Sequence, residues 1–539
     1  MKSRTLAAVV SASLTLSPLT ASAEMALIER VDLAQFNHVV VIYEENHSFD
    51  NLWGTWGDVG SDDVKGLRDA DAAHTKQARL DGSLYNCLLQ NDPHFTSPPL
   101  SGTCIEPSPY GASHFPNAPF SIDSVLSNAQ NTEDLVHRFY NEQFQLHQGR
   151  QDRYTLGSDA AGLTQGYYKA QNLPLFQYLH GVGAPKYVIA DGFFQAAFGG
   201  SFLNHQWLVA ATTPVFASAL NDGSSFDLHS GLDSNLMPAS TPLYANPLGS
   251  LAKDLALTQS CSPAPSRAPK QPGAVCGDYV VNTIQPATQP YAPGTATQKR
   301  LPLLDGPTIG DRLTERRVDW AWYSGGWSNA AGKVGAPGWT NGDAGACADP
   351  NTIAGAVYPN CPNKLFQFHH QPFNYFSRYA SGAARDAHLL DEVEFLKAAQ
   401  TGALKPVSFI KPIGGDNEHP GYTNVAAGDS HLVELIKAVV NGPNAFDTLI
   451  VITYDEFGGA WDHVPPPGQG RGGVHDQWGP GTRIPAMLIS RRFIKSGVDH
   501  LDHDTTSILR LIEERFNVSP LGARDASVRS LSSALVKGM

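Results

Sequence analysis

The chain has 539 residues, ample for a large core and, by length alone, about three domains. Its formal net charge is −13, and it is two units more negative without Lys2 and Arg4, the only charges in residues 1–23. That balance argues against nucleic acid, which is gripped by Lys and Arg on phosphates, yet it leaves an anionic substrate open where a bound cation reverses the local field.

The first 23 residues read as a secretory signal. Lys2 and Arg4 give a basic start, Leu6 to Leu16 an apolar stretch, and Ala21-Ser22-Ala23 a small-residue cleavage site before Glu24. Ser3 separates the two basic residues, so a Sec-type route fits better than twin-arginine export. The stretch is short for a membrane span, no later segment resembles one, and the expectation is a periplasmic or secreted protein without a stable membrane anchor.

The apolar run His38–Tyr43 stops abruptly in Glu44-Glu45-Asn46-His47-Ser48-Phe49-Asp50. Roughly four hundred residues later, Thr448–Tyr454 stops in Asp455-Glu456-Phe457-Gly458-Gly459-Ala460-Trp461-Asp462-His463. Each pattern is that of a buried parallel strand delivering polar side chains at its carboxyl end, the edge where open α/β sheets bind ligands. Two such ends can build one site, which favours a single domain over residues 24–539. Further strands are expected at Lys186–Ala190, Val318–Tyr323, Pro406–Ile410 and Ile484–Ile489. Helices are expected at His388–Thr401, Leu432–Val440 and Ser507–Phe516. The alternation predicts an α/β fold, a mostly parallel central sheet with helices on both faces. Residues 210–310, rich in Pro, Ser, Ala, Gly and Thr, are expected to form an insertion or lid. An even cysteine count in an exported chain suggests disulfides, most simply Cys87–Cys104, Cys261–Cys276 and Cys347–Cys361.

Glu45, Asn46, Asp455 and Glu456 are oxygen donors of the kind a hard divalent cation prefers. Ser201, in Gly199-Gly200-Ser201-Phe202-Leu203-Asn204-His205, can stand exposed at a helix start, where backbone N–H groups favour an anion. Its hydroxyl is a poor nucleophile until a metal or base removes the proton. His137, His369, His370 and His419 are candidates to contact a phosphate or protonate a leaving group.

Taken together, the Glu45–Asp50, Gly199–His205, Phe368–Phe373, Glu418–Gly421 and Asp455–His463 blocks resemble a bacterial phosphoesterase family of phospholipases C and related acid phosphatases. Trp320–Trp327 strengthens the likeness. The resemblance implies an alkaline-phosphatase-like core. It implies one metal ion on Glu45, Asn46, Asp455, Glu456 and Ser201, with Ser201 also the nucleophile. It places His137, His369, His370, His419 and Asn46 around the phosphate. The mechanism expected on these residues has His419 or His370 protonate the leaving alcohol. Phospholipase members commonly carry Gly-Pro-Thr-x-Pro-Asn-Arg where this chain has Gly199–His205, which points toward the acid-phosphatase branch and small phosphate monoesters. The alternative is a phospholipase C-type diesterase acting on phospholipid head groups, with the Trp320–Trp327 aromatics as walls for choline. A catalytically inactive exported binding protein is the alternative of another class.

Overall fold

A computed structural model describes residues 30–88, 104–106, 111–113, 115–158, 161–216, 279–281, 301–339 and 365–536. The signal segment, most of the 210–310 insertion, Cys261, Cys276, Cys347 and Cys361 lie outside the described residues. The Cys87–Cys104 disulfide forms, with Cα atoms 6.0 Å apart.

The core is an eight-stranded sheet. In chain order its strands are β1 (His38–Glu44), β2 (Lys186–Ala190), β3 (Trp320–Ser324), β4 (Leu389–Asp391), β5 (Val407–Lys411), β6 (Thr448–Tyr454), β7 (Ala486–Ser490) and β8 (Gly497–Asp499). The spatial order is β4-β3-β5-β1-β6-β7-β2-β8. Only β7 runs antiparallel, between β6 and β2. Every residue of β6 and all but the first of β1 are buried. Successive side chains in a strand point to opposite faces, so both faces of the sheet are covered. The principal helices are α1 (Phe49–Leu52), α2 (Phe139–Leu146), α3 (Ser201–Ala210), α4 (Glu392–Thr401), α5 (Val425–Val440) and α6 (Thr506–Phe516).

Two expectations shift. The helix expected from His388 begins only at Glu392, because Leu389–Asp391 pairs with β3 as an edge strand. Asp391 and Glu394 form a capping box that starts the helix there, and Val393, expected on its apolar face, is exposed. The Trp320–Trp327 block is core rather than rim: Trp320, Trp322 and Trp327 are each fully buried. Those three indoles cannot wall a choline pocket.

Candidate active site

Strands β5, β1 and β6 are parallel neighbours, so their carboxyl ends meet at one edge. The register sets Glu44 opposite Tyr454, and the Asp455 N–H donates to the Glu44 carbonyl at 3.1 Å. Glu45 and Asp455 therefore leave the sheet side by side. Glu45, Asp455 and Glu456 each offer an oxygen within 4.8 Å of the other two. Gly458, at φ +60°, lets the second segment pass close to the Asn46 carbonyl, which a Cβ there would strike. Asn46 Nδ2 donates to Glu456 Oε1 at 2.8 Å.

Ser201 opens α3, after Gly200. Its hydroxyl donates to Glu45 Oε2 at 3.1 Å. Gly199, at φ +86°, makes the turn before it against the backbone of Phe139 in α2. The Gly199 N–H donates to Glu142 Oε2 at 2.5 Å. The same buried carboxylate receives Gln195 Nε2 at 2.9 Å and the Thr482 N–H at 2.6 Å. Burial pushes the Glu142 carboxyl up to about 7.

The histidines converge from loops. His137 donates Nδ1–H to the Leu135 carbonyl at 2.5 Å, which turns Nε2 toward Glu456 Oε1, 3.6 Å away. His419 donates Nδ1–H to the Pro420 carbonyl at 2.6 Å, and its Nε2 lies 4.0 Å from Glu45 Oε2. His370 Nε2 lies 3.0 Å from Glu45 Oε1, and the His369 ring packs 4.4 Å from that of His370. Burial pulls His370 down to about 4 and His369 well below its usual range. His47 turns aside, bonded to Asn51 Oδ1 at 2.6 Å and the Glu418 carbonyl at 3.1 Å.

Electrostatics tests the metal. Burial, then Glu45 and Glu456, raise Asp455 well above the usual carboxylate range, and burial and Glu45 do the same to Glu456. Burial would raise Glu45 too, but His370 and Lys411 hold it well below that range. Three buried carboxylates with one fixed cation beside them are short of positive charge. Asn46 Oδ1 and Asp455 Oδ2 are buried and accept no hydrogen bond. An all-oxygen set with unsatisfied acceptors fits one divalent metal ion.

Every candidate residue from the sequence reaches this edge of the sheet. Reading by motif missed Lys411, whose buried ammonium lies 2.8 Å from Glu45 Oε1. It also missed a role for His205, although His205 ends the Gly199–His205 block, one helical turn from Ser201. Glu142 carries no motif signal.

A model of the phosphoesterase family matches residues 36–519. Phospholipase C B of Mycobacterium tuberculosis is 30% identical over 163 residues, covering 26% of this chain and 31% of that protein. Non-specific phospholipase C6 of Arabidopsis thaliana is 28% identical over 199 residues, covering 32% of this chain and 36% of that protein. The matched stretch thus spans about a third of the length of these curated relatives. A protein in the alkaline phosphatase superfamily from Vibrio parahaemolyticus overlaps with a TM-score of 0.23 and 12% identity, over 46% of this chain and 60% of that one. An overlap that loose sets no residue equivalences. The chain belongs to the phosphoesterase family.

Proposed function

We propose that this protein hydrolyses phosphoric esters with Ser201 as the nucleophile. One observation carries the reading: the Ser201 hydroxyl stands at a helix start, 3.1 Å from Glu45 and beside carboxylates short of positive charge. A divalent ion held by Glu45, Asn46, Asp455, Glu456 and Ser201 would lower the hydroxyl's pKa and screen the phosphoryl oxygens. Having lost its proton to solvent, Ser201 Oγ attacks phosphorus in line as the alkoxide, and the P–O bond to the leaving alcohol breaks. His419 or His137 gives the departing oxygen its proton from Nε2. Asn46, His369 and His370 contact the phosphoryl oxygens. Water then cleaves the phosphoserine, and the same histidine takes up the proton that water releases. The signal-like N-terminus supports placing this reaction outside the cytoplasm.

Two leaving-group classes remain in play. The likeness to phospholipases C favours a phospholipase C-type diester, and that substrate is tested first. The Gly199–His205 block, unlike that of the phospholipases, favours a monoester. Rates on p-nitrophenylphosphorylcholine and p-nitrophenyl phosphate, measured across pH with metal-loaded protein, separate them. Acid quench during turnover should trap phosphate on Ser201. Binding of either ester without turnover would replace the reading with that of an inactive binding protein.

A further inference from the structure

Glu45 divides its two oxygens between different surroundings. Oε2 faces the Ser201 hydroxyl at 3.1 Å and His419 Nε2 at 4.0 Å. Oε1 faces three nitrogens: Lys411 Nζ at 2.8 Å, His370 Nε2 at 3.0 Å and His205 Nε2 at 3.9 Å. All four residues are at least nine-tenths buried. The imidazoles of His205 and His370 lie parallel, with centroids 4.9 Å apart. His205 donates Nδ1–H to the Ser201 carbonyl at 2.8 Å, which leaves Nε2 as a bare lone pair. That buried nitrogen has no hydrogen-bond partner. A carboxylate oxygen and two imidazole nitrogens within 4.8 Å of one another form the three-ligand set of an open zinc-type site, with one histidine tied through its other nitrogen to a carbonyl. This group shares Glu45 with the oxygen-rich set but is otherwise distinct from it.

We infer that Lys411 is the resident second cation of this centre: its ammonium takes the place of a second metal ion on Glu45, His205 and His370, and so holds the site to one metal. The inference rests on the single-metal reading above. The ammonium is fixed by two further contacts, donating to the Tyr43 carbonyl at 2.9 Å and lying 5.6 Å from the centre of the Tyr43 ring. A divalent ion on the same Glu45 oxygen would stand beside this charge in a dry setting, where like charges repel most strongly. Lys411 thus supplies the positive charge that ionised Glu45 needs on that side without adding a second Lewis acid.

The test is metal stoichiometry on full-length protein, stripped with chelator, reloaded with excess zinc, desalted and measured by elemental analysis. Wild-type protein should hold one zinc, Lys411→Ala two, and Lys411→Ala/His205→Ala one again. Lys411→Gln removes the charge with less loss of volume, and it should also gain the second zinc if the alanine variant does not fold. Lys411→Arg keeps the charge and should stay at one. One zinc in a folded Lys411→Ala or Lys411→Gln protein overturns the inference alone, as does a second zinc in the wild type. A wild type that holds none overturns the underlying metal reading and this inference with it.

Discussion

Two buried acidic clusters stand at the same edge of the sheet, and they are built differently. Asp50, Asp462 and His463 lie close enough to hold a metal ion, just as Glu45, Asp455 and Glu456 do. In the first cluster Arg483 answers the charge. Its Nε lies 3.0 Å from Asp462 Oδ1, its Nη2 2.9 Å from Asp50 Oδ1, and Nη1 donates to the carbonyls of Lys65 and Asp191. His463 Nδ1 lies 2.6 Å from Asp50 Oδ2, and the Asp50 N–H donates to Asp462 Oδ2 at 3.0 Å. No carboxylate oxygen of that cluster is without a partner. The Glu45 cluster keeps bare acceptors in Asn46 Oδ1 and Asp455 Oδ2. Proximity alone does not make a metal site; unsatisfied acceptors around a shortage of positive charge do. The satisfied cluster is a clamp that ties the Glu44–Asp50 block to the Asp455–His463 block, and so sets the distance between the two halves of the other.

The contrast can be broken from either side. Ser201→Ala should lower turnover on the preferred ester by on the order of a thousandfold or more while the protein stays folded. Near wild-type rates in that variant would remove Ser201 from the chemistry. Arg483→Met should cost about 3–5 kcal/mol in denaturant unfolding, because it leaves two buried carboxylates without their cation. A loss under about 1 kcal/mol would mean the clamp is not what holds the blocks together. Asp455→Asn should lose bound metal, whereas Asp462→Asn should keep it in the folded fraction. Equal metal content in the two would erase the distinction between the clusters.

The smallest effect lies on α5. His431 Nε2 is 2.9 Å from Glu392 Oε1. Burial alone would lower this histidine, but Glu392 overrides it and raises His431 to about 9. A raised folded-state value means the pair stabilises fully below the unfolded value near 6.5, and that the stabilisation fades as pH climbs through about 9. His431→Gln should therefore lose up to about 3 kcal/mol at pH 6 and little above pH 9.5. A pH-independent loss would assign the effect to packing instead.

The strand ends were legible because β-branched runs that stop in acids have few other uses. The first carboxylates of both halves of the site followed from that pattern. Lys411 was not legible: a lysine closing Pro406–Ile410 reads as a solvated strand end. It is buried because β5 runs between β3 and β1 in the sheet. Glu142 and Arg483 sit in no motif, and their roles exist only through the chain segments they join. Leu389 and Leu390 fit a helical stripe locally, yet they pair with β3 once that strand lies alongside.

The sequence by itself determined the layered α/β plan, the acidic strand ends and the serine turn, since periodicity, backbone sterics and side-chain chemistry are local properties. Tertiary structure decided which acids are answered by a cation and which are left open. That depends on distances and burial between segments hundreds of residues apart. Lys411 on Glu45 and Arg483 between Asp50 and Asp462 give two similar sets of acids their opposite electrostatic settings.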